Sequence, residues 1–182
     1  MIITMTGKPC SGKSVVIAYL MEKYGFTKFS GGDIFRRIAS ERGIDVLELN
    51  RRNDTSIDKL VDDEIIAIGK RDIDKNIIFD SRTAWHFIPA SFKVFLDIDV
   101  EEQINRLVNS GRTTEIVDLS HDDAKKALQE RWDLENKRYK ELYNFDNTDL
   151  SKYDCVVNTS ALSVEEVAEK IYSEYLNYLN SK

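Results

Sequence analysis

Eight residues near the start of the chain, Gly7-Lys8-Pro9-Cys10-Ser11-Gly12-Lys13-Ser14, carry the spacing G-x-x-x-x-G-K-[ST]. The pattern suits a cradle for phosphate oxygens, because successive backbone N–H groups turn inward and side chains at the glycine positions would block the approach. Gly7 and Gly12 supply the room, and Lys8, Pro9, Cys10 and Ser11 span the gap between them. Lys13 can place a compact charge on the β- and γ-phosphates of a nucleoside triphosphate. The Ser14 hydroxyl is a suitable ligand for Mg²⁺ in the first turn of the helix that follows. The same residues also read as an ordinary glycine-rich turn between a strand and a helix.

Further along, Asn76-Ile77-Ile78-Phe79-Asp80 and Phe92-Lys93-Val94-Phe95-Leu96-Asp97 are short apolar runs that each end in an aspartate. Asp80 can hold Mg²⁺, directly or through water, together with Ser14, or it can cap a loop; Asp97 is similar in position. Arg82 follows immediately, between two strand ends. Arg131, Glu135 and Arg138 share one helical face at i, i+4 and i+7, a spacing that suits either an arginine clamp or a salt-bridged surface helix. Trp85 allows two readings, stacking on a nucleobase and core packing.

These residues need a scaffold, and the periodicities describe one. The opening Met1-Ile2-Ile3-Thr4-Met5-Thr6 reads as a strand, and Val16, Ile17, Leu20, Met21 and Tyr24 form the apolar face of a helix after it. Phe26 to Ser30 reads as a second strand. Asp33 is expected to cap a helical stretch from residue 33 to 70, interrupted near Gly43 and at Asn53-Asp54-Thr55. Asp99 with Glu102 predicts a capping box for a helix from Val100 to Asn109 ended by Gly111, and a long helix is expected from Asp122 to Tyr143. Tyr153 to Asn158 is the last strand, and Ser163 with Glu166 caps a final amphipathic helix. Five strands alternating with helices predict an α/β sandwich with a mostly parallel sheet, its ligands at the carboxyl ends of the strands.

Composition narrows the function. At 182 residues and 42% hydrophobic content the chain can bury one sizeable core. A net charge of −6 argues against nucleic-acid binding through overall positive charge, so an anionic substrate must meet focused Arg and Lys groups. No apolar run is long enough for a membrane span and the opening lacks the pattern of a signal peptide, so a cytoplasmic protein is expected. Cys10 and Cys155 are far apart, and His86 and His121 are isolated, which gives no metal signal.

In their order and spacing these segments resemble the nucleoside monophosphate kinases, most of all the short archaeal-type cytidylate kinases. The resemblance runs from the phosphate-binding loop through Ser30-Gly31-Gly32-Asp33-Ile34-Phe35-Arg36 and Asp80-Ser81-Arg82-Thr83-Ala84-Trp85. It continues through residues 95–97, 130–139 and 149–160. It implies a P-loop NTPase fold, a three-layer α/β/α sandwich with a five-stranded parallel sheet. It also implies one domain over 1–182, with a core of about 1–32, 71–108 and 145–182, a helical insertion for the acceptor at about 33–70 and a short lid at about 109–144.

The activity implied is transfer of the ATP γ-phosphate to CMP or dCMP, with ATP and Mg²⁺ as the cofactors and a monomer as the expected state. Asp33, Arg36 and Arg82 would bind the acceptor, Arg36 and Arg82 through its phosphate, where guanidinium forks suit a dianion. Arg131 and Arg138, oriented by Glu135, would join Lys13 and Arg82 at the transition state; Arg106 and Arg112 flank the lid; Asn158-Thr159-Ser160 would meet the donor adenine. Arg51 and Arg52 could reach a pyrimidine edge. Cys10 and Ser81 stand where such kinases commonly carry glycine, and both are expected to crowd the phosphates; at Cys10 the result would be slow or redox-sensitive turnover. Two alternatives remain open at this level. One is a related kinase for AMP, UMP or a small metabolite. The other is a nucleotide-dependent assembly or regulatory factor with weak ATPase, although Asn158-Thr159-Ser160-Ala161 lacks the lysine and aspartate of a GTP switch.

Overall fold

A computed structural model of the chain describes residues 2–43, 55–72, 75–109 and 120–181. The opening apolar run forms β1 (Ile2–Gly7), which leads through the glycine-containing loop into α1 (Lys13–Tyr24). There follow β2 (Thr27–Ser30), α2 (Gly31–Glu41), α3 (Thr55–Arg71) and β3 (Ile77–Asp80). The second half contains α4 (Ala84–Phe87), β4 (Phe92–Asp97), α5 (Val100–Asn109), α6 (His121–Tyr143), β5 (Cys155–Asn158) and α7 (Val164–Asn180).

All five expected strands form, and they make one parallel sheet in the order β2-β3-β1-β4-β5. β1 is buried along its whole length because strands cover both its edges and helices both its faces, which is why it reads as an unbroken apolar run. Its residues alternate between two cores. Ile3 and Met5 join Ile78, Val94, Leu96 and Val157 against Val16, Ile17 and Leu20 of α1 and Val167, Ala168 and Ile171 of α7. Ile2 joins Ile77 and Phe79 against Ile34 of α2, Val61 and Ile65 of α3, and Ala84 and Ile88 around α4. Phe95 meets Trp132 of α6 on that second face. The result is the three-layer α/β/α arrangement.

Register decides where the strands end. Met5 pairs with Asp80, Ser30 with Asp80, Gly7 with Leu96 and Asp97 with Asn158, so these residues share one rim. Burying Ile17 and Leu20 contributes roughly 2 kcal/mol each to pinning α1 beneath that rim. The loop is therefore held at both ends.

Two expected caps differ. α2 starts at Gly31, and its cap is Ser30, whose Oγ accepts from the Asp33 N–H at 3.2 Å; Asp33 sits in the first turn, where its charge favours the helix N-terminus. The Asp99 carboxylate accepts from Asn158 Nδ2 and Glu102 pairs with Arg106, so that predicted capping box is spent on other partners. The Ser163–Glu166 box forms as read. Gly43 turns left-handed after α2, matching the first interruption; α3 is described from Thr55, and Asn53 and Asp54 lie outside the described residues.

Candidate functional site

The loop between β1 and α1 is shaped by contacts that its glycines permit. A Cβ at Gly7 would lie 2.4 Å from the Leu96 carbonyl oxygen, so a side chain there would push β1 off β4. Gly12 takes the left-handed conformation at the start of α1. The span between them is fastened from three sides. Lys8 N–H donates to Leu96 O at 3.0 Å, Gln103 Nε2 of α5 donates to Pro9 O at 2.9 Å, and Thr159 Oγ1 donates to Ser11 O at 3.1 Å. Cys10 is left-handed at φ 61°, a conformation that costs a non-glycine residue about 1–2 kcal/mol. Its side chain packs against the cluster of Ile104, Ala124 and Leu128 on α5 and α6.

Charge gathers on the same rim. Lys13 is ion-paired with Asp80, whose other oxygen lies 3.8 Å from Lys28 Nζ, and Lys8 pairs with Asp97 at 2.7 Å. Burial, reinforced by the nearby Arg82 charge, holds the Lys13 ammonium below its ordinary range despite the Asp80 partner. Arg82 hydrogen-bonds the Gly7 carbonyl, lies 3.1 Å from Glu135 Oε2, and sets its guanidinium 5.5 Å from the Trp132 ring centre. Arg131 donates to the other Glu135 oxygen at 3.1 Å. Burial pushes the Glu135 carboxyl up, but Arg82, Arg131 and Lys13 together outweigh it and leave the group below the usual carboxylate range.

Arg131 meets Glu135 as the i, i+4 spacing predicts, and Arg82 joins them there. Arg138 does not join them; it reaches across to Asp58 of α3. Arg36 is largely exposed and paired with its neighbour Asp33. Arg106 lies over Gly12 and donates to the Thr159 carbonyl at 2.6 Å, tying α5 to the loop after β5. Asn158 closes that loop, accepting from Ser160 N–H at 2.9 Å. Arg51, Arg52 and Arg112 lie outside the described residues.

Ser81 does not crowd the loop; its Oγ accepts from the N–H groups of Thr83 and Ala84 at 3.1 and 3.3 Å, holding the turn into α4. Trp85 is only 7% exposed, packs on Phe145 and Tyr153 and donates to Asn147 at 2.8 Å, which assigns it to the core. Sequence reasoning passed over Gln103, Asp58, Asp62 and Tyr143. Gln103 gave no signal before α5 was placed beside the loop, and the two aspartates read as ordinary charge on a helix.

Ser14 is exposed in the first turn of α1, and Asp80 is a carboxylate on the adjacent strand end, so the oxygen donors that a hard cation requires stand on one rim. Among the described residues no group of three or more His, Cys, Asp or Glu assembles as a metal site. The donors therefore fit a Mg²⁺ that keeps most of its shell from water and substrate phosphates.

The Cytidylate kinase-like family model matches residues 2–161. The chain is 38% identical over 177 residues to a cytidylate kinase of Natronomonas pharaonis, covering 95% of this chain and 88% of that protein. It is 34% identical over 170 residues to one of Methanocaldococcus jannaschii, covering 92% and 93%. Among solved structures, a shikimate kinase from Aquifex aeolicus superposes with a TM-score of 0.59 at 18% identity, over 100% of both chains. An uncharacterized protein from Eubacterium ventriosum superposes at 0.70 and 16% identity, over 100% of this chain and 99% of its own.

Proposed function

The chain belongs to the cytidylate kinase-like family, and from that premise we propose that it transfers the γ-phosphate of ATP to CMP or dCMP. The observation that carries this reading is the seat of Arg82. It touches the Gly7 carbonyl of the phosphate-binding loop and faces Glu135, at the mouth of the helical insertion between β2 and β3. A cation there lies between a donor phosphate on the loop and an acceptor phosphate beside the insertion.

Lys13 and the loop N–H groups of Cys10, Gly12 and Lys13 hold the donor phosphates. Arg82 and Arg36 take the acceptor phosphate, with Asp33 setting the Arg36 side chain. An acceptor oxygen attacks the γ-phosphorus, the bond to the β-phosphate bridging oxygen breaks, and ADP leaves; the acceptor phosphate is already a nucleophile, so no protein base is required. Charge on the three equatorial oxygens is met by Lys13, Arg82 and Arg131, and by Arg138 once closure frees it from Asp58. Mg²⁺, held through Ser14 and Asp80, would neutralise charge between the donor phosphates.

In this reading residues 33–70 are the acceptor insertion, 109–144 the lid region and the rest the core of one domain. The adenine rests by Asn158 and Arg106, and the enzyme is a cytoplasmic monomer whose partners are nucleotides rather than nucleic acid. Among the described residues no helix is long and apolar enough to cross a membrane. A coupled ADP-release assay with CMP, dCMP, UMP, AMP and GMP tests the proposal. Acceptor-dependent turnover highest with CMP or dCMP is expected; ATP hydrolysis indifferent to every acceptor would sink it.

A further inference from the structure

Arg82 is bracketed by two buried hydroxyl residues. Ser81 Oγ lies 3.2 Å from Thr83 Oγ1, and Thr83 Oγ1 donates to Asp62 Oδ1 of α3 at 2.8 Å. The other Asp62 oxygen accepts from the hydroxyl of Tyr143, the last residue of α6. Because the Thr83 proton goes to the carboxylate, Ser81 donates to Thr83, and the chain runs in one direction from Ser81 through Thr83 to Asp62. One turn earlier on α3, Asp58 takes Arg138 of α6. The start of α2 touches the same place, since a Cβ on Gly31 would lie 3.3 Å from Val61 and 3.6 Å from Ser81 Oγ.

Asp62 and Thr83 are each 5% exposed. A carboxylate in that setting is costly unless hydrogen-bonded, and a neutral residue of similar volume would fill the space beside Val61 and Ile65 at less cost. Its two acceptor atoms instead join three elements that carry the site: the acceptor insertion, the loop bearing Arg82 and the long helix α6 of the lid region. Burial holds the Asp62 carboxyl above its usual range even with both hydroxyl donors in place, as expected of a dry junction.

We propose that Asp62 is a positioning residue for the acceptor phosphate, fixing through Thr83 and Tyr143 the loop that aims Arg82 and tying that aim to the seating of α3 and α6. The inference rests on the phosphotransfer reading and adds a residue that itself meets no substrate. Displacing a guanidinium by about an ångström costs up to 100-fold, so its effect should be large and confined to the acceptor side.

The test compares Asp62→Asn, Tyr143→Phe, Thr83→Val and Thr83→Ser in full-length protein, reading kcat, the KM for CMP, the KM for ATP and the thermal midpoint. Asp62→Asn and Thr83→Val should raise the CMP KM about 10- to 100-fold while the ATP KM moves less than about threefold. Thr83→Ser, which keeps the hydroxyl, should stay within about threefold of wild type. The double variant Asp62→Asn/Thr83→Val should be no worse than the weaker single, because both cut one chain. If Asp62→Asn does not fold, the Val and Ser pair at Thr83 decides alone. A lowered thermal midpoint with unchanged CMP KM, equal loss for ATP and CMP, or additive singles would each overturn the assignment. Wild type lacking any acceptor-dependent turnover would sink the kinase reading together with it; an active wild type with indifferent variants sinks this inference only.

Discussion

Replacing Cys10 by glycine puts the loop geometry to a quantitative test, because three effects of similar size oppose one another at that position. Glycine relieves the left-handed backbone at φ 61°, a gain of about 1–2 kcal/mol. It removes a half-buried thiol from Ile104, Ala124 and Leu128, a loss of about 1 kcal/mol. It also loosens the unfolded chain, a further loss of about 0.5–1 kcal/mol. The sum runs from about −1 to about +0.5 kcal/mol, so the thermal midpoint should shift by no more than about 4 °C in a chain of this size. The side chain packs on α5 and α6, so kcat/KM for ATP should stay within about threefold of wild type in a coupled ADP-release assay. Cys10→Val, which forces a β-branched residue into the same conformation, should lose about 2 kcal/mol or more. A gain of tenfold or more in kcat/KM for ATP on Cys10→Gly would refute this reasoning and show that the thiol obstructs the phosphates. A loss of more than 2 kcal/mol would show that packing, rather than backbone strain, governs the position.

Arg82→Ala should lower phosphotransfer by about a thousandfold or more, since one charge aimed at the transferred group is worth that much. The ATP dissociation constant should rise by less than about tenfold, because Lys13 and the loop amides remain; equal losses in binding and turnover would remove Arg82 from the acceptor side. Lys13 should make ATP binding proton-linked. Burial and Arg82 lower its pKa in the free protein, and a polyanion alongside raises it, so binding takes up protons on the alkaline side. Titration calorimetry in buffers of different ionisation enthalpy should report net uptake as pH rises, and an enthalpy independent of buffer would contradict it.

The sheet was legible in the sequence because β1, β3, β4 and β5 are short, mostly apolar runs, the last three ended by Asp or Asn at the rim, and Gly7 to Ser14 announced the loop that joins strand to helix. What escaped was whatever depends on packing between helices. Asp58 and Asp62 sit one position past Ile57 and Val61 on α3, and in sequence that is merely the polar edge of an amphipathic helix. Only the seating of α6 turns that edge inward and gives Tyr143 and Arg138 their partners. Ser30 caps α2 three residues before the expected cap because Gly31 and Gly32 continue into helical conformation instead of breaking it. Arg138 shares a helical face with Arg131 and Glu135, yet the side chain turns to a different neighbour, a choice that spacing alone does not contain.

The strand order also governs when the loop can exist during synthesis. β1 is the first strand made, yet its residues Ile2 and Ile3 find their partners at Ile77 and Phe92. At roughly 5–20 residues per second the nascent segment waits several seconds before either edge is covered. Until then Gly7 has no Leu96 carbonyl behind it and Pro9 has no Gln103. A chain halted before β4 would carry the whole signature of a phosphate-binding loop and none of its grip. Free nucleotide can therefore assist only the last stage of folding, when the two halves of the sheet have already met.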